Sequence, residues 1–254
     1  MNQEAIVELD SGVLSVCFNR PEKKNALTQS MYRAATEAIV RAESDAAVKV
    51  VVFTGAGDIF TSGNDINDFL SVPPDGEDSP VVQFLMVLAD TDIPILAAVN
   101  GRAIGVGTTM LMHCEKVYAV DTASFATPFI NLAVVPEAGS SLLMPKFLGY
   151  QQAARMLVFG EAIDAQTAKA CGLVSELCAA ETLMTTVMDD ARRIATLPKK
   201  AMRNAKRLMR MAEQPLRDRI VHEMKDFGEA LNSPEAQEAM TAFMEKRPAD
   251  FSKC

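Results

Sequence analysis

The sequence predicts an α/β fold that ends in a helical part, and three observations lead to this prediction. Apolar runs of strand length alternate with segments of helical periodicity over the first three quarters of the chain. Two of these runs, 48–54 and 94–99, are almost entirely apolar, which is typical of strands covered on both faces. From about Gln151 onward the pattern becomes helical.

The first elements are a strand region and a capped helix. Residues 4–18 alternate between polar and apolar side chains, which predicts strand structure, and Asn19-Arg20-Pro21 breaks the pattern. Thr28 is suited to cap a helix that runs to about Ser44, because apolar residues recur there on one face.

The middle of the chain continues the alternation. A turn over 55–58 follows the first continuous apolar run, and the composition of 71–80, rich in Pro, Asp and Ser, predicts a loop before a helix near Val81. The second apolar run leads into a glycine-rich turn, a short helix near 108–114 and a strand over 117–120.

Helices between about 180 and 246 complete the chain. Ser233 followed by Pro234 marks a helix start, as N-cap and first helical residue. One of these helices has an apolar stripe that needs a partner surface, either the core or a neighbouring subunit. The stripe consists of Leu216, Ile220, Met224 and Phe227.

Composition and charge disfavour several classes of function. The 254 residues have a net charge of −8, and the pI is about 4.9, without a long basic run, which disfavours binding to nucleic acid or anionic membranes. The five cysteines match no zinc spacing and are expected to be free thiols in a reducing compartment. The two histidines provide little material for a histidine-based metal site or a Ser/His/Asp triad, and the sequence implies no metal or redox cofactor.

The sequence leads us to expect a cytoplasmic location. Acidic residues interrupt any apolar run within the first ten positions, so no signal peptide is expected. The most apolar stretch, 93–112, contains an asparagine and an arginine, which favours a buried segment over a membrane span. Ser252-Lys253-Cys254 resembles a peroxisomal address, but cysteine is a poor last residue for one.

Two turns that contain glycine follow buried strands, at 60–66 and 100–107. Glycine permits a positive φ and a close approach of the backbone, and free N–H groups at a helix start favour negative charge. Two such turns facing one another could hold one oxygen between two N–H donors, although a structural or phosphate-binding role is the alternative. The second turn lacks both the dinucleotide and the P-loop spacing.

These segments resemble the signatures of the crotonase (enoyl-CoA hydratase/isomerase) superfamily. The resemblance covers nearly the whole chain, in the family's order and spacing. The matching motifs are Asn19-Arg20-Pro21 with Asn25-Ala26-Leu27, Ser62-Gly63-Asn64-Asp65-Ile66, Ala97–Gly101 with Gly105-Val106-Gly107, Phe159-Gly160 through Ala168, Gly172-Leu173-Val174, and Phe243–Arg247.

The resemblance implies a spiral of ββα units with a helical C-terminal trimerisation region, the trimers often pairing as hexamers. Residues 1–195 would form the core with the CoA and acyl site, and 196–254 the helical region for oligomerisation and active-site cover. The backbone N–H groups of Asn64 and Val106 would form the oxyanion hole. The implied substrate and CoA contacts are Lys24, Ala26, Leu27, Ser62, Gly63, Asp65, Ile66, Gly105 and Lys246.

The acid–base residues indicate which member of the family the chain resembles. Family hydratases use two glutamates to handle water, and Thr109 and Phe129 stand at those positions here. Glu137 stands instead where hydratases usually have glycine, as in the peroxisomal-type Δ3,Δ2-enoyl-CoA isomerases. The resemblance therefore implies an isomerase of fatty-acid β-oxidation that converts 3-enoyl-CoA to trans-2-enoyl-CoA.

In that reaction Glu137 would move a proton from C2 to C4 while the hole stabilises the thioester enolate. Apolar neighbours such as Val134 and Val135 are expected to raise the pKa of Glu137 by desolvation. The acyl-CoA thioester is the expected partner, in a homotrimer or a dimer of trimers, with no other cofactor.

Several alternatives stay open. Outside the family register, a glutamate in such a turn would be expected to face solvent or to lie in the first turn of a helix. Asp65 is suited to cap a helix near Ile66, although it could be a second acid. His113 is expected to be a packed residue, and Arg20, like the lysines of the CoA set, is either a phosphate ligand or a solvated charge.

Another branch of the superfamily (dienoyl-CoA isomerase, hydratase or hydrolase) or a non-catalytic RNA-binding or scaffolding member would share the fold. Acyl-chain length and pathway are undecided.

Overall fold

The computed structural model describes residues 3–71, 76–251 and 254, which form two β-sheets with helices packed around them. Two sequence predictions fall partly beyond this range. Residues 72–75 of the predicted 71–80 loop, and Ser252 and Lys253 of the C-terminal tripeptide, lie outside the described residues.

The larger sheet has six strands in the order β1-β2-β3-β5-β7-β10. Its first pair is antiparallel and its other neighbours are parallel. The strands are β1 (Ala5–Asp10), β2 (Val13–Phe18), β3 (Val50–Gly55), β5 (Ile95–Val99), β7 (Lys116–Val120) and β10 (Glu176–Cys178).

The smaller sheet has four short strands in the order β4-β6-β8-β9. The first three run parallel and the last is antiparallel. The strands are β4 (Ile59–Thr61), β6 (Arg102–Ile104), β8 (Ser124–Ala126) and β9 (Ile163–Asp164). Strands β3, β5 and β7 of the larger sheet are each followed by a strand of the smaller sheet and then by helix, which is the predicted spiral of ββα units.

Eleven α-helices are described. They are α1 (Gln29–Ser44), α2 (Ile66–Ser71), α3 (Pro80–Asp90), α4 (Val106–Thr109), α5 (Ser140–Leu148), α6 (Tyr150–Leu157), α7 (Ala165–Ala170), α8 (Leu183–Ala195), α9 (Lys199–Arg210), α10 (Leu216–Leu231) and α11 (Pro234–Glu245). Both predicted caps are present, since the Thr28 and Ser233 hydroxyls accept hydrogen bonds from Met31 N and Ala236 N at 3.3 and 3.1 Å.

The core lies between the larger sheet and the helices that pack on it. Every residue of β3 and β5 is buried, as predicted for strands covered on both faces. Helices α1 and α8 both pack against this sheet. A chain of aromatic contacts joins the sheet to the helices, with ring centroids 5.9 Å apart for Phe18–Phe53, 6.2 Å for Phe53–Phe84 and 5.4 Å for Phe84–Tyr32.

Two sequence predictions about the helical part of the chain were wrong in detail. The helical part of the chain begins with α5 at Ser140 and not near Gln151. The short helix predicted near 108–114 is present, as α4 followed by a 3-10 turn over Met110–His113. Strands β9 and β10 interrupt the region predicted to be helical. Both are too short for alternation to show in the sequence, and their partners, β8 and β7, are distant in the chain. The boundary after residue 195 falls between α8 and α9, and the division into two regions stays a prediction.

Candidate active site

The two glycine turns meet because the strands before them are neighbours. Strands β4 and β6 pair in parallel, with Thr61 opposite Ala103, so the turns that follow them emerge side by side. Gly63 has a φ of +88°, and a Cβ added there would lie 3.0 Å from the Ile104 carbonyl oxygen. A Cβ on Gly107 would lie 2.4 Å from Cγ2 of Thr61. Glycine is therefore required for the turns to come this close.

The backbone N–H of Asn64 is left free by the way its turn is held. Leu27 N donates to Gly63 O at 2.8 Å, and Asp65 N donates to Leu27 O at 2.9 Å. This bridge uses the groups on either side of Asn64 and not its own N–H. No acceptor for that N–H is found in the part of the chain that the structure describes.

The backbone N–H of Val106 is free for a different reason. Val106 is the first residue of α4, and the first N–H groups of a helix have no acceptor within it. Gly105, with a φ of +58°, precedes it and donates its own N–H to Ala126 O at 2.8 Å. Within residues 3–71, 76–251 and 254, Val106 N–H has no partner either. The touching turns thus provide two donors suited to one negatively charged oxygen.

Glu137 reaches the second turn through a hydrogen bond. The Thr109 hydroxyl donates to Glu137 Oε1 at 2.5 Å, and Thr109 ends the short helix that begins at Val106. The backbone around Glu137 is held by Ser140 N, which donates to Glu137 O at 2.9 Å, and by His113 Nε2, 2.9 Å from Ala138 O. The glutamate therefore lies next to the helix that begins at Val106 and does not point to bulk solvent, as the alternative interpretation expected.

The environment of Glu137 shifts its protonation equilibrium towards neutral pH. Burial raises its pKa to about 7, while the hydrogen bond from Thr109 opposes the shift. Its Oε2 is buried and has no hydrogen-bond partner among the described residues. The raised pKa agrees with the prediction, but Val134 and Val135, the neighbours expected to cause it, are 50% and 79% exposed.

Tyr32 is a member of the site that the sequence reasoning missed. It lies in α1, is 2% exposed, and its hydroxyl donates to Oδ1 of Asn64. Burial, together with the negative charge of Glu137, raises the pKa of Tyr32 well above its ordinary value. A hydroxyl on the otherwise apolar buried face of α1 was the available signal in the sequence.

Arg20 and Asp65 hold the first turn together. Arg20 Nη1 donates to Asp65 Oδ2 at 3.0 Å and to Ala26 O at 2.7 Å, and Arg20 Nε pairs with Glu4 at 3.1 Å. Asp65 Oδ1 accepts from Asn67 N and Asp68 N at 3.1 and 3.3 Å, which confirms that Asp65 caps α2. The guanidinium of Arg20 is thus occupied by protein groups and is not a solvated charge.

Asn25, which belongs to the first recognised motif, is a buried brace with no exposed surface. Its side-chain amide donates to Ala56 O at 2.9 Å and to Ile59 O at 2.6 Å, and its oxygen accepts from Arg20 N at 2.9 Å. These bonds tie the segment before α1 to the connection that leads into β4. A buried amide with all three bonds made fixes this geometry, because leaving any of them unmade would be unfavourable.

Most of the other predicted CoA contacts lie at the first turn, and Lys246 lies apart from it. Lys24, Ala26, Leu27, Ser62 and Gly63 lie together, since Ser62 N donates to Lys24 O at 3.0 Å and Leu27 bridges the turn. Ile66 is 58% exposed at the start of α2. Lys246 lies at the C-terminal end of α11, and none of the described hydrogen bonds or ion pairs connects it to the turns. The binding role of each residue stays a prediction.

His113 is a packed residue, as expected. It is 6% exposed, and burial lowers its pKa. Across the described ranges, no group of three or more His, Cys, Asp or Glu side chains is placed to hold a metal ion. None of the described helices combines the length and apolarity needed to cross a membrane.

Comparison with known proteins identifies relatives along most of the chain. A family model described as enoyl-CoA hydratase/isomerase matches residues 8–253. Enoyl-CoA delta isomerase 2 of Rattus norvegicus is 40% identical over 215 residues, which are 82% of this chain and 55% of that protein. The chain thus spans about half the length of this relative. The mitochondrial enoyl-CoA hydratase of Pongo abelii is 34% identical over 236 residues, 92% of this chain and 81% of that protein.

A solved structure has the same fold. A protein from Magnetospirillum magneticum AMB-1, whose name contains the terms enoyl-CoA hydratase and carnithine racemase, superposes with a TM-score of 0.95 at 40% identity. The match covers 99% of this chain and 100% of that one. The names of these relatives include more than one reaction, so the subtype has to be argued from the site.

Proposed function

The chain belongs to the enoyl-CoA hydratase/isomerase family, and we propose that it converts 3-enoyl-CoA thioesters to trans-2-enoyl-CoA thioesters. The observation that carries this proposal is the position of Glu137. Its carboxylate is hydrogen-bonded to Thr109, three residues after Val106 in the second turn, and its other oxygen is buried with no hydrogen-bond partner in the described part of the chain.

The proposed mechanism divides the work between a base and an oxyanion hole. The N–H groups of Asn64 and Val106 donate to the thioester oxygen, which makes the C2 proton more acidic. Glu137 removes that proton, and the electron pair spreads over the enolate oxygen, C2 and C4. The same carboxyl group then returns the proton at C4, so the double bond moves to C2 and no other reactant is consumed.

The pKa of Glu137 suits this task. A base that must also return its proton works best when its pKa is near the working pH, and a value of about 7 meets that condition. An ordinary carboxylate with a pKa near 4.5 would be a much weaker base towards carbon. The same division between a carboxylate base and an oxyanion hole is established for ketosteroid isomerase.

Hydration is the second candidate, because a relative of similar identity is named a hydratase. Water addition in this family needs two carboxylates, by the resemblance described above, and Thr109 and Phe129 stand at their positions. Thr109 instead holds Glu137. The acid–base set therefore favours isomerisation over hydration.

Purified protein should be assayed with trans-3-hexenoyl-CoA for isomerisation and with trans-2-hexenoyl-CoA for hydration. We expect formation of the conjugated thioester in the first assay and a hydration rate at least about 100-fold lower, the scale of one missing acid–base group. A hydration rate equal to the isomerisation rate would reject the proposal in favour of a hydratase. Failure to convert 3-enoyl thioesters of six to twelve carbons (about the range of common chains) would assign the chain to another branch of the family.

A further inference from the structure

Tyr32 connects the hydrophobic core to the proposed oxyanion hole. Its ring packs against Phe84 at 5.4 Å, and Phe84 packs against Phe53 of β3 at 6.2 Å, so the core fixes where the ring lies. Its hydroxyl donates to the side-chain oxygen of Asn64. Asn64 is the residue whose backbone N–H has no acceptor in the described chain.

Asn64 is restrained by two sets of contacts, in a turn that is built on glycine. The bridge to Leu27 already holds the peptide groups on either side of Asn64, including the Gly63–Asn64 peptide that carries the Asn64 N–H. Gly63, with a φ of +88°, brings no side chain that could anchor the turn. The bond from Tyr32 is the one described hydrogen bond to the Asn64 side chain, and it links that side chain to a rigid helix.

We propose that Tyr32 is a positioning residue of the oxyanion hole: its hydroxyl fixes the Asn64 side chain and thereby reinforces the bridge to Leu27 in setting the direction of the Asn64 backbone N–H. The inference rests on the function proposed above. In this proposal Tyr32 acts through Asn64 and does not contact the reacting atoms. Burial and the nearby charge of Glu137 keep the hydroxyl protonated, so it stays a donor throughout the neutral pH range.

Tyr118 provides a matched control for a buried tyrosine without this role. It is 1% exposed, and its hydroxyl donates to Asp190 Oδ2 at 2.5 Å, while Lys116 also pairs with Asp190 at 2.7 Å. Tyr32→Phe and Tyr118→Phe each remove one buried hydroxyl and leave the ring in place. Loss of general packing would affect both variants, whereas loss of positioning would affect only the first.

The test combines kinetics on trans-3-hexenoyl-CoA with difference infrared spectroscopy of bound hexanoyl-CoA. The thioester carbonyl band reports how strongly the hole polarises the carbonyl, whichever reaction the enzyme performs. For Tyr32→Phe we expect kcat to fall roughly 10- to 100-fold, part of the 10²–10³ that a lost hole donor costs, with KM within about threefold of wild type. The carbonyl band should move back towards its position in free hexanoyl-CoA, and Tyr118→Phe should keep both kcat and the band.

A double variant tests whether Tyr32 acts through Asn64. Asn64→Ala removes the acceptor but keeps the backbone N–H, so Tyr32→Phe should cause little further loss when added to it. Additive losses would overturn the inference, as would equal losses in Tyr32→Phe and Tyr118→Phe, or a wild-type band in Tyr32→Phe. An unshifted band in the wild-type protein would also overturn it. If the wild type shifts the band, Tyr32→Phe loses the shift, and no 3-enoyl thioester is converted, the inference stands and the proposed reaction is rejected.

Discussion

At the scale of single residues, two opposing effects set the basicity of Glu137. Burial disfavours its charged form, and the hydrogen bond from Thr109 favours it, with burial the larger effect. The resulting pKa of about 7 leaves a large part of the carboxylate ionised at neutral pH while making it a stronger base than an exposed carboxylate. Thr109 therefore adjusts the pH at which the proposed reaction runs.

Thr109→Val tests this adjustment. The variant removes the donor that lowers the pKa of Glu137, so that pKa should rise above about 7. The base must be ionised to accept the C2 proton, so the pH at which kcat/KM is half-maximal should move upward. Isomerisation should then slow several-fold near pH 6 and approach the wild-type rate near pH 9.

Thr54→Val is the control for Thr109→Val. Thr54 is also buried, and its hydroxyl donates to Ala98 O at 3.1 Å between two core strands. Its loss should lower stability without moving the pH profile. A downward shift in Thr109→Val, or the same upward shift in Thr54→Val, would show that the Thr109 bond does not set the pKa of Glu137.

Some residues of the candidate site could be predicted from the sequence and others could not. Glu137 could be singled out only through the family register, because Thr109, its partner, is 28 positions away and no local pattern joins them. Tyr32 and Asn64 are 32 positions apart and were not linked. The cap formed by Asp65 was predictable, since it acts within its own turn. Contacts between elements depend on the fold and are not visible in local periodicity.

At the scale of elements, the site depends on two strand-to-helix turns that touch. The parallel pairing of β4 and β6 places both turns at the same edge of the smaller sheet. Gly63 faces the backbone of Ile104, so the gap between the turns leaves no room for a side chain there. The separation of the two N–H donors is thus set by backbone packing.

Gly63→Ala should damage this arrangement in two ways. Alanine at a φ of +88° is strained, by roughly 1–2 kcal/mol, and its Cβ would lie 3.0 Å from the Ile104 carbonyl oxygen. We expect kcat to fall by about 10²-fold or more, since one hole donor would be displaced, together with a lower free energy of unfolding measured by urea denaturation.

Gly149→Ala is the control that distinguishes backbone strain at a glycine from displacement of a hole donor. Gly149 has a φ of +79° between α5 and α6, and a Cβ there would meet nothing within 4 Å. This variant should lose stability but keep kcat, because the two turns stay in place. Equal loss of kcat in both variants would mean that the effect of Gly63→Ala comes from backbone strain and not from the hole.

Elements with strong local signals were predicted well. The caps at Thr28 and Ser233 and the buried runs of β3 and β5 are all present. Short elements without such signals were missed. Strand β9 has two residues and β10 has three, and both depend on pairing with strands far away in the chain.

At the scale of the whole molecule, the fold could be predicted because the motifs of the family occur along nearly the whole chain, in the family's order. The ββα repeat and the family assignment confirm that prediction. The same motifs do not indicate the number of subunits in the assembly. In the single chain, Leu216, Ile220, Met224 and Phe227 of α10 remain 75%, 49%, 59% and 57% exposed. Such a face is consistent with burial between subunits, and the trimer, like the cytoplasmic location, stays a prediction.

The central claim, that Glu137 is the base of an isomerase, is tested most directly by Glu137→Gln. The substitution keeps the size of the side chain and an acceptor for Thr109 but removes the proton-transferring carboxylate. Glu161→Gln makes the same change at an exposed carboxylate that pairs with Arg155 at 2.7 Å. Circular dichroism and thermal unfolding would verify that both variants are folded.

The measurement is the kcat of each protein on trans-3-hexenoyl-CoA at about pH 8, where Glu137 of the wild type is mostly ionised. We predict that Glu137→Gln is at least about 10³-fold slower than wild type, as expected for loss of the acid–base group, and that Glu161→Gln is unchanged. A folded Glu137→Gln variant within about tenfold of the wild-type rate would contradict the account, because another group would then have to move the proton.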